Sequence, residues 1–211
     1  MNPDHFWSII RTNIFKGRIS TGAFDTVNHI VDTYYAHYMP VADPEHLAYI
    51  LATAYHESYH RLLNPDWLPV REGFAKTNEG AISAVTKLFD AGRISQNYSL
   101  PHTNGHSYYG RGLVQITWPE NYRKMGKVLG IDLYGNPDLM LDPIVSAKAL
   151  VIGSVEGTYT GRKLADFDTP DGMLDAFNAR RVINGLDKAE KIKGDYDIFH
   201  FGIVSAINAI K

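Results

Sequence analysis

The sequence contains no cysteine, which excludes disulfide bonds, thiolate metal sites and cysteine nucleophiles together. It also has little excess charge, because 21 Lys and Arg residues against 23 Asp and Glu residues give a formal net charge of −2. Nucleic acid binding would therefore require a concentrated basic patch. The only candidate, the three lysines between positions 188 and 193, is interspersed with acidic residues. This pattern is typical of a solvated helix face, so we expect no nucleic acid partner.

Long apolar runs are also missing, and no segment reaches the roughly 20 residues needed to span a membrane. The N-terminal sequence MNPDHFWSIIRTNIF has an early acidic residue and no small-residue cleavage site, so it is not typical of a signal peptide. We therefore expect a cytoplasmic protein without stable membrane insertion. With 211 residues and 45% hydrophobic content, the chain is able to bury a substantial core as one domain.

Helical signals recur along the chain. Asp4 is predicted to open a short first helix and Asp25 a second, amphipathic one, while Asp43 caps a third that begins at Pro44 and runs through Glu57. Further helices are predicted over residues 78–90, 119–129, 143–156 and 170–182, and from 187 to the C-terminus. Residues 99–118, rich in glycine and β-forming side chains, predict a short hairpin or extended segment. The fold class is therefore α+β and predominantly α-helical.

The segment AYHESYH contains His56, Glu57 and His60 in the H-E-x-x-H spacing of zinc peptidases. On one helix, two histidines four residues apart share a face, and a neighbouring glutamate is able to act on zinc-bound water. Glu79, 19 residues after His60, is the candidate third ligand. The intervening residues show no further histidine or acidic pattern, so a pair of histidines bonding to backbone or to a sugar is the favoured alternative.

The third predicted helix carries an apolar stripe. At the spacing i, i+3, i+4 and i+7, the residues expected to face the core are Leu47, Ile50, Leu51 and Ala54. The opposite face is predicted to carry Tyr49, Thr53, His56 and His60. Glu57 lies at the edge of the stripe near the C-terminal end, where burial and the negative end of the helix dipole both favour a protonated carboxyl group. That is the form a general acid requires, although many glutamates at helix ends are simply solvated.

Three segments together resemble glycoside hydrolase family 19, which includes chitinases and many phage and prophage endolysins. They are AYHES followed by PVREGF, YYGRGLVQITWPENYRKMG at residues 108–126, and RRVINGL at residues 180–186. Their order and spacing match the family from about Leu47 to Lys188. The resemblance implies a lysozyme-like fold and an inverting glycosidase that uses no metal or cofactor.

The resemblance also implies catalytic roles. Glu57 would be the general acid and Glu72, in PVREGF, the general base, with the two carboxyl groups roughly 6.5 to 9.5 Å apart to admit a water molecule. Arg71 or a later arginine is expected to hold Glu72 ionised. Thr117 matches the hydroxyl residue suited to hold the attacking water, and its alternative role is to cap the helix that begins at Pro119.

Sugar binding is implied for a larger set: His56, Tyr109, Gln115, Asn121, Tyr122, Arg181 and Asn184. Amide side chains suit this work because they both donate and accept hydrogen bonds, and Tyr109 offers an aromatic face. Without the resemblance, Gln115 and Asn184 would more often brace loops. The WPE interval before Asn121 differs from the plant chitinase pattern. Gly110 and Gly112 are expected to serve tight turns rather than phosphate binding.

The missing cysteines and compact length resemble the endolysin branch, which favours bacterial peptidoglycan glycan strands as substrate. A chitinase acting on chitin oligosaccharides is the alternative, and a zinc peptidase is less favoured. Residues 1–211 are expected to form one monomeric catalytic domain with no separate cell-wall-binding domain. An endolysin without a signal peptide would wait in the bacterial host cytoplasm until a holin lesion released it to the wall.

Overall fold

The computed structural model describes residues 1–210 and is predominantly helical. Its α-helices are α1 (Pro3–Asn13), α2 (Thr21–Tyr38), α3 (Pro44–Ser58), α4 (Asn78–Asp90), α5 (Pro119–Leu129), α6 (Pro143–Glu156) and α7 (Ala189–Asn208). Short 3₁₀ helices span Glu72–Phe74, Pro137–Leu141, Leu164–Phe167 and Asn178–Val182. Two short strands, β1 (Val70–Arg71) and β2 (Arg111–Gly112), pair antiparallel. This architecture confirms the predicted mostly helical α+β class.

Local capping signals explain why several helices lie where the sequence predicts them. At the start of α3, the Asp43 side chain accepts a hydrogen bond from the Glu45 amide at 2.8 Å, and Pro44 occupies the first helical position. Asp142 likewise caps α6, which ends at Gly157 in the left-handed conformation with φ 71°. Helices α4, α5 and α6 begin and end at the predicted residues.

The helix predicted over residues 170–182 is wrong. Gly172, with φ +81°, turns the chain so that Asp168 and Leu174 form an antiparallel bridge, and only Asn178–Val182 coils, as a 3₁₀ helix. The proline at position 170 thus belongs to a turn rather than to a helix start.

Two other helix starts differ from the prediction, each for a local reason. The Ser20 hydroxyl accepts from the Ala23 amide at 3.1 Å, so α2 begins at Thr21 rather than near Asp25. Helix α7 begins at Ala189, since Lys188 takes a left-handed conformation with φ 61°. Within residues 99–118, Arg111 and Ile116 exchange two backbone hydrogen bonds in an antiparallel bridge, as in the predicted short hairpin. The same segment supplies β2, whose partner β1 lies 40 residues earlier in the chain.

Helix α3 is buried on nearly all sides. The predicted stripe Leu47, Ile50, Leu51 and Ala54 is fully buried. Tyr49 and Thr53, expected on a polar face, are buried as well, because α7 packs along α3 while α2 and α6 cover other parts of it. Apart from Pro44 at its start, only the last turn of α3, which carries Glu57, is partly accessible. None of the helices in residues 1–210 combines the length and apolar character needed to cross a membrane.

The burial of α3 predicts where the fold is sensitive to truncation. Leu51→Ala removes a completely buried side chain and is expected to lower the free energy of unfolding by about 2–5 kcal/mol. Leu62→Ala removes the same atoms from a residue that is 82% exposed and is expected to change it by less than about 0.5 kcal/mol. Urea denaturation followed by circular dichroism measures both, and equal losses would contradict the central place of α3.

Candidate active site

Both glutamates singled out by the sequence open into one cavity of about 310 Å³. Glu57 comes from the last turn of α3, and Glu72 follows β1 directly. The other lining residues are Tyr98, Val114, Gln115, Ile116, Thr117, Asn121, Tyr159, Ile183 and Asn184. The cavity is therefore built from chain segments that are far apart in the sequence.

Glu57 forms an ion pair that the sequence analysis missed. Arg180 Nη1 donates to Glu57 Oε1 at 2.6 Å, and the Arg180 side chain is only 5% exposed. Arg180 is fixed in turn through Nε, which donates to the Asp187 carbonyl at 3.2 Å. A guanidinium at this distance stabilises the carboxylate, in opposition to burial and the helix dipole.

The neighbouring arginine was the one expected at the site. Arg181 is exposed and its Nε donates to Asn178 Oδ1 at 3.4 Å, so it does not line the cavity. Both arginines stand in the segment RRVINGL, and the turn of the 3₁₀ helix Asn178–Val182 decides which one points inward. Of the two arginines in this segment, Arg180 contacts Glu57, and the predicted Arg181 does not line the cavity.

Glu72 is held by two hydrogen bonds and by its backbone. Its Oε2 accepts from the Tyr98 hydroxyl and from the Gly110 amide, each at 3.2 Å, while its own amide donates to the Gly110 carbonyl at 2.8 Å. Burial raises the pKa of Glu72 above its ordinary value; the two hydrogen bonds oppose this shift and the charge of Glu57 adds to it.

The expectation that Arg71 or a later arginine holds Glu72 ionised is wrong. Arg71 and Arg111 both donate to Asp138, at 2.8 and 2.7 Å, and within residues 1–210 no ion pair joins an arginine to Glu72. Arg180 pairs with Glu57, whereas the group with the raised pKa is Glu72. The assignment of Glu57 as the acid and Glu72 as the base predicts the opposite, an arginine beside Glu72 and a protonated Glu57.

Gln115 combines a cavity position with a bracing role. Its Nε2 donates to the Val70 and Gly112 carbonyls at 3.0 and 2.9 Å, while its backbone adopts φ 54°, which is unusual for a residue other than glycine. Gly110 packs against this side chain, since a Cβ at that position would lie 2.7 Å from Glu72 Oε2 and 2.8 Å from Gln115 Oε1. Gly110 therefore allows the Glu72 and Gln115 side chains to approach the backbone closely, rather than forming a turn. Gly112, by contrast, has φ 90°, a backbone conformation that favours glycine.

Three further predicted residues, Thr117, Asn121 and Asn184, line the cavity. Thr117 does not cap α5, as its alternative role required, because the cap position is Trp118 with φ 70°. The Asn121 side chain donates to the Thr117 carbonyl at 2.8 Å, and Asn184 Oδ1 accepts from the Gly185 amide at 2.8 Å. Each amide thus keeps polar atoms for a ligand while part of it braces the loop.

The two predicted sugar-binding tyrosines do not line the cavity. Tyr109 is fully buried, and the Arg111 guanidinium lies 3.7 Å from its ring centre, so it offers no free aromatic face. Tyr122 is also fully buried and donates to the Tyr109 carbonyl at 2.9 Å. Tyr98 lines the cavity instead. The sequence offered no motif that marks it.

The histidines of the H-E-x-x-H pattern do not share a helix face. Helix α3 ends at Ser58, so His60 lies outside it, and its Nδ1 accepts from the Leu62 and Leu63 amides. His56 accepts a hydrogen bond at Nδ1 from Lys191 at 3.1 Å. Burial, with the charge of Lys191, lowers the pKa of His56 to about 4, so the ring is neutral at neutral pH. His56 does not line the cavity.

This geometry removes the basis of the zinc peptidase alternative. Among residues 1–210, the one group of three side chains close enough to share a metal ion is Asp43, His46 and Asp168, at the opposite end of α3. Glu79 is exposed in the first turn of α4. The H-E-x-x-H match lacks the continuous helix that metal binding by this pattern requires.

Comparison with known proteins assigns the central part of the chain to a family. The glycoside hydrolase family 19 model, described as chitinase class I, matches residues 50–154, which include Glu57, Glu72 and Thr117. The chain carries a glycoside hydrolase family 19 domain. Two solved chitinases share the fold of this domain: a bacterial family 19 chitinase (TM-score 0.55, 18% identity, 95% of this chain and 93% of that one) and chitinase C from Streptomyces griseus HUT6037 (TM-score 0.55, 18% identity, 95% and 75%).

Curated relatives match over short stretches of the chain. Endochitinase A2 of Pisum sativum is 49% identical over 49 residues, covering 23% of this chain and 15% of the relative. Endochitinase CH25 of Brassica napus is 43% identical over 63 residues, covering 27% and 20%. Inactive chitinase-like protein 1 of Hevea brasiliensis is 43% identical over 58 residues, covering 27% and 18%. The chain thus matches a fifth or less of the length of these relatives.

The hydrogen bond from Tyr98 to Glu72 predicts a measurable shift. Tyr98→Phe removes a donor that stabilises the Glu72 carboxylate, so the pKa of Glu72 is expected to rise further. Carboxyl ¹³C NMR titration measures it, with the Glu72 signal assigned by its loss in Glu72→Gln. Tyr35→Phe, which makes the same chemical change on α2, is the control and should leave the Glu72 titration unchanged. A Glu72 curve that is unmoved in Tyr98→Phe would contradict the hydrogen bond.

Proposed function

We propose that this protein hydrolyses β-1,4-glycosidic bonds between amino sugars by an inverting mechanism in which Glu57 is the general acid and Glu72 the general base. The observation that carries the proposal is the pair of glutamates, supplied by α3 and by the end of β1, that open into one polar cavity. An inverting glycosidase needs two carboxyl groups on opposite sides of the scissile bond, with room for water between them. The family 19 domain supports the same reaction class.

In this proposal, the cavity divides the work among its residues. Glu72 takes the proton of the attacking water, which the Thr117 hydroxyl helps to orient. Glu57 protonates the departing glycosidic oxygen, and Arg180 then stabilises the carboxylate that is left. Gln115, Asn121 and Asn184 donate to and accept from sugar hydroxyl or acetamido groups. No step requires a metal ion.

The charges of the free cavity favour a second assignment, in which the two glutamates exchange roles. Glu72, whose pKa burial raises, is then the acid, and Glu57, paired with Arg180, is the base. The pH profile of Tyr98→Phe separates the two assignments. If Glu72 is the base, activity needs its ionised form, and a higher pKa moves the acid limb to higher pH. If Glu72 is the acid, the alkaline limb moves to higher pH instead.

We propose bacterial peptidoglycan as the substrate and an endolysin as the biological role, because the cysteine-free, compact sequence resembles that branch. Such an enzyme acts as a single catalytic domain held in the host cytoplasm until a membrane lesion gives access to the wall. Chitin is the second candidate, and the names of the curated relatives, several of which are endochitinases, favour it. The two polymers share the β-1,4-linked amino-sugar backbone, and peptidoglycan adds a lactyl-peptide branch that the cavity must admit.

Glu57→Gln tests the catalytic pair. It removes the transferable proton with little change of volume, so turnover should fall roughly 10²- to 10⁴-fold. The buried Arg180 guanidinium then lacks its counter-charge, so the melting temperature should fall as well, while the circular dichroism spectrum at 25 °C stays that of the folded parent protein. Glu79→Gln makes the same chemical change at an exposed position in α4 and should retain the parent rate. Initial rates of reducing-end release measure both. If Glu57→Gln keeps more than a tenth of the parent rate, Glu57 is not required for the chemistry.

Substrate and reaction type are tested by digesting purified peptidoglycan and chitin oligosaccharides with excess EDTA present. We expect new reducing ends from peptidoglycan despite EDTA, with mass spectrometry of the terminal sugar identifying the bond. Cleavage of chitin oligosaccharides alone would assign the chitinase function instead. New free amino groups that disappear with EDTA would show a metallopeptidase and overturn the proposed function.

A further inference from the structure

Two arginines lie directly opposite each other in the two-stranded sheet. Arg71 of β1 is the register partner of Arg111 of β2. Like charges directly opposite each other destabilise a sheet, and here the Arg111 side chain is only 3% exposed, so water screens its charge poorly. Without a counter-charge this pairing would force the strands apart.

Asp138 supplies that counter-charge to both arginines. Its Oδ2 accepts from Arg71 Nη2 at 2.8 Å and its Oδ1 accepts from Arg111 Nε at 2.7 Å, so one carboxylate joins the two strands. The arginines in turn favour the ionised form, and the pKa of Asp138 is lowered although its burial opposes this. Asp138 belongs to the 3₁₀ helix Pro137–Leu141, which packs against β2 and α6.

The joined arginines are the immediate neighbours of the residues that hold Glu72. Arg71 precedes Glu72 in the chain, and Arg111 follows Gly110. Glu72 and Gly110 exchange two hydrogen bonds, from the Glu72 amide to the Gly110 carbonyl at 2.8 Å and from the Gly110 amide to Glu72 Oε2 at 3.2 Å. Any separation of β1 from β2 therefore moves the Glu72 carboxyl group directly.

Arg111 also ties this arrangement to the rest of the molecule. Its Nη1 donates to the Ser107 carbonyl at 2.9 Å and to the Tyr122 hydroxyl at 3.2 Å, and its guanidinium stacks on Tyr109. Arg111 is thus fixed from several sides, and Asp138 holds Arg71 next to it. Among the side-chain contacts of Arg111, the one with Asp138 extends to β1, the strand that leads into Glu72.

We propose that Asp138 is a positioning residue for Glu72: by joining Arg71 and Arg111 it fixes the register of β1 and β2 and so places the Glu72 carboxyl group in the cavity. The catalytic consequence rests on the proposed function, whereas the placement of Glu72 does not. Asp138 does not line the cavity and has no direct contact with substrate in this proposal.

The sign of the effect on Glu72 follows from the charges. Asp138→Asn leaves two guanidinium charges uncompensated beside Glu72, and looser strands expose the carboxyl group to water. Both changes favour the ionised form, so the pKa of Glu72 falls. If Glu72 is the base, the acid limb of the pH profile then moves to lower pH, in the direction opposite to that expected for Tyr98→Phe.

The experiment compares Asp138→Asn with Asp168→Asn. Both carboxylates are 37% exposed, and each accepts a hydrogen bond at 2.8 Å from a cationic or ionisable partner, which for Asp168 is His46. His46 lies in the first turn of α3, about 17 Å along that helix from Glu57. The two variants therefore match in charge change and accessibility and differ in their distance from the cavity.

For Asp138→Asn we expect kcat to fall roughly 10- to 100-fold with KM changed by less than about threefold, since misplacing a reacting group costs rate more than binding. Asp138→Glu, which keeps the charge, should recover part of kcat. Asp168→Asn should leave kcat and the Glu72 titration unchanged. Equal losses of kcat in both Asn variants, in step with their melting temperatures, would reduce Asp138 to a general structural role and overturn the proposal.

Carboxyl ¹³C NMR titration of Glu72 in the same variants keeps this inference separate from the proposed function. If the parent protein cleaves neither peptidoglycan nor chitin, the proposed function fails, yet a Glu72 pKa that is lowered in Asp138→Asn and only partly restored in Asp138→Glu, which keeps the charge, would still support the positioning role. An unchanged Glu72 titration in Asp138→Asn overturns the positioning role whatever the activity.

Discussion

The structure depends on the burial of α3. A helix enclosed by α7 on one side and by α2 and α6 elsewhere has almost no freedom to shift, because its side chains fill space on every face. Its last turn is the exception, and that turn carries Glu57. The rigid helix α3 thus places the Glu57 carboxyl group at the edge of the core. The loops near the end of this helix carry the remaining cavity residues.

The two glutamates are held by different means. Glu57 stands on a helix and is balanced by the guanidinium of Arg180. Glu72 follows a two-residue strand, and its position depends on that strand keeping its register with β2. A short sheet is weak in isolation, so side chains have to support it. The Arg71, Asp138 and Arg111 contacts do so, and the Gln115 amide also joins the two strands through the Val70 and Gly112 carbonyls. Two carboxylates in one cavity also raise the cost of ionising both, which gives the cavity a means of keeping one proton.

The comparisons differ in the length and the identity of their matches. Solved family 19 chitinases share the fold at 18% identity, whereas the matches to plant endochitinases are short and of higher identity. Packing of a helical core tolerates many combinations of apolar residues, so sequence there drifts while the fold persists. One of the relatives is named an inactive chitinase-like protein, so likeness of sequence does not by itself carry the activity.

Sequence alone determined the features that local chemistry controls. Asp43, Pro44 and Asp142 signal their helices through capping and a fixed φ, and the apolar spacing of α3 identifies its core face. The resemblance added the two glutamates, and the cavity contains both. The helix prediction failed at residues 170–182. The proline at position 170 is compatible with either a helix start or a turn, and the glycine at position 172 makes the turn.

Tertiary structure alone decided which polar residues face the cavity. Tyr109 and Tyr122 are buried because Arg111 and its partners enclose them, and Tyr98 takes the place beside Glu72 without any sequence motif. Arg180 rather than Arg181 reaches Glu57, since successive side chains of a 3₁₀ helix point about 120° apart. The pairing of β1 with β2 joins distant segments of the chain, and the contact between Arg71 and Asp138 joins residues 67 positions apart. Such choices depend on packing between distant segments, and local sequence carries no record of them.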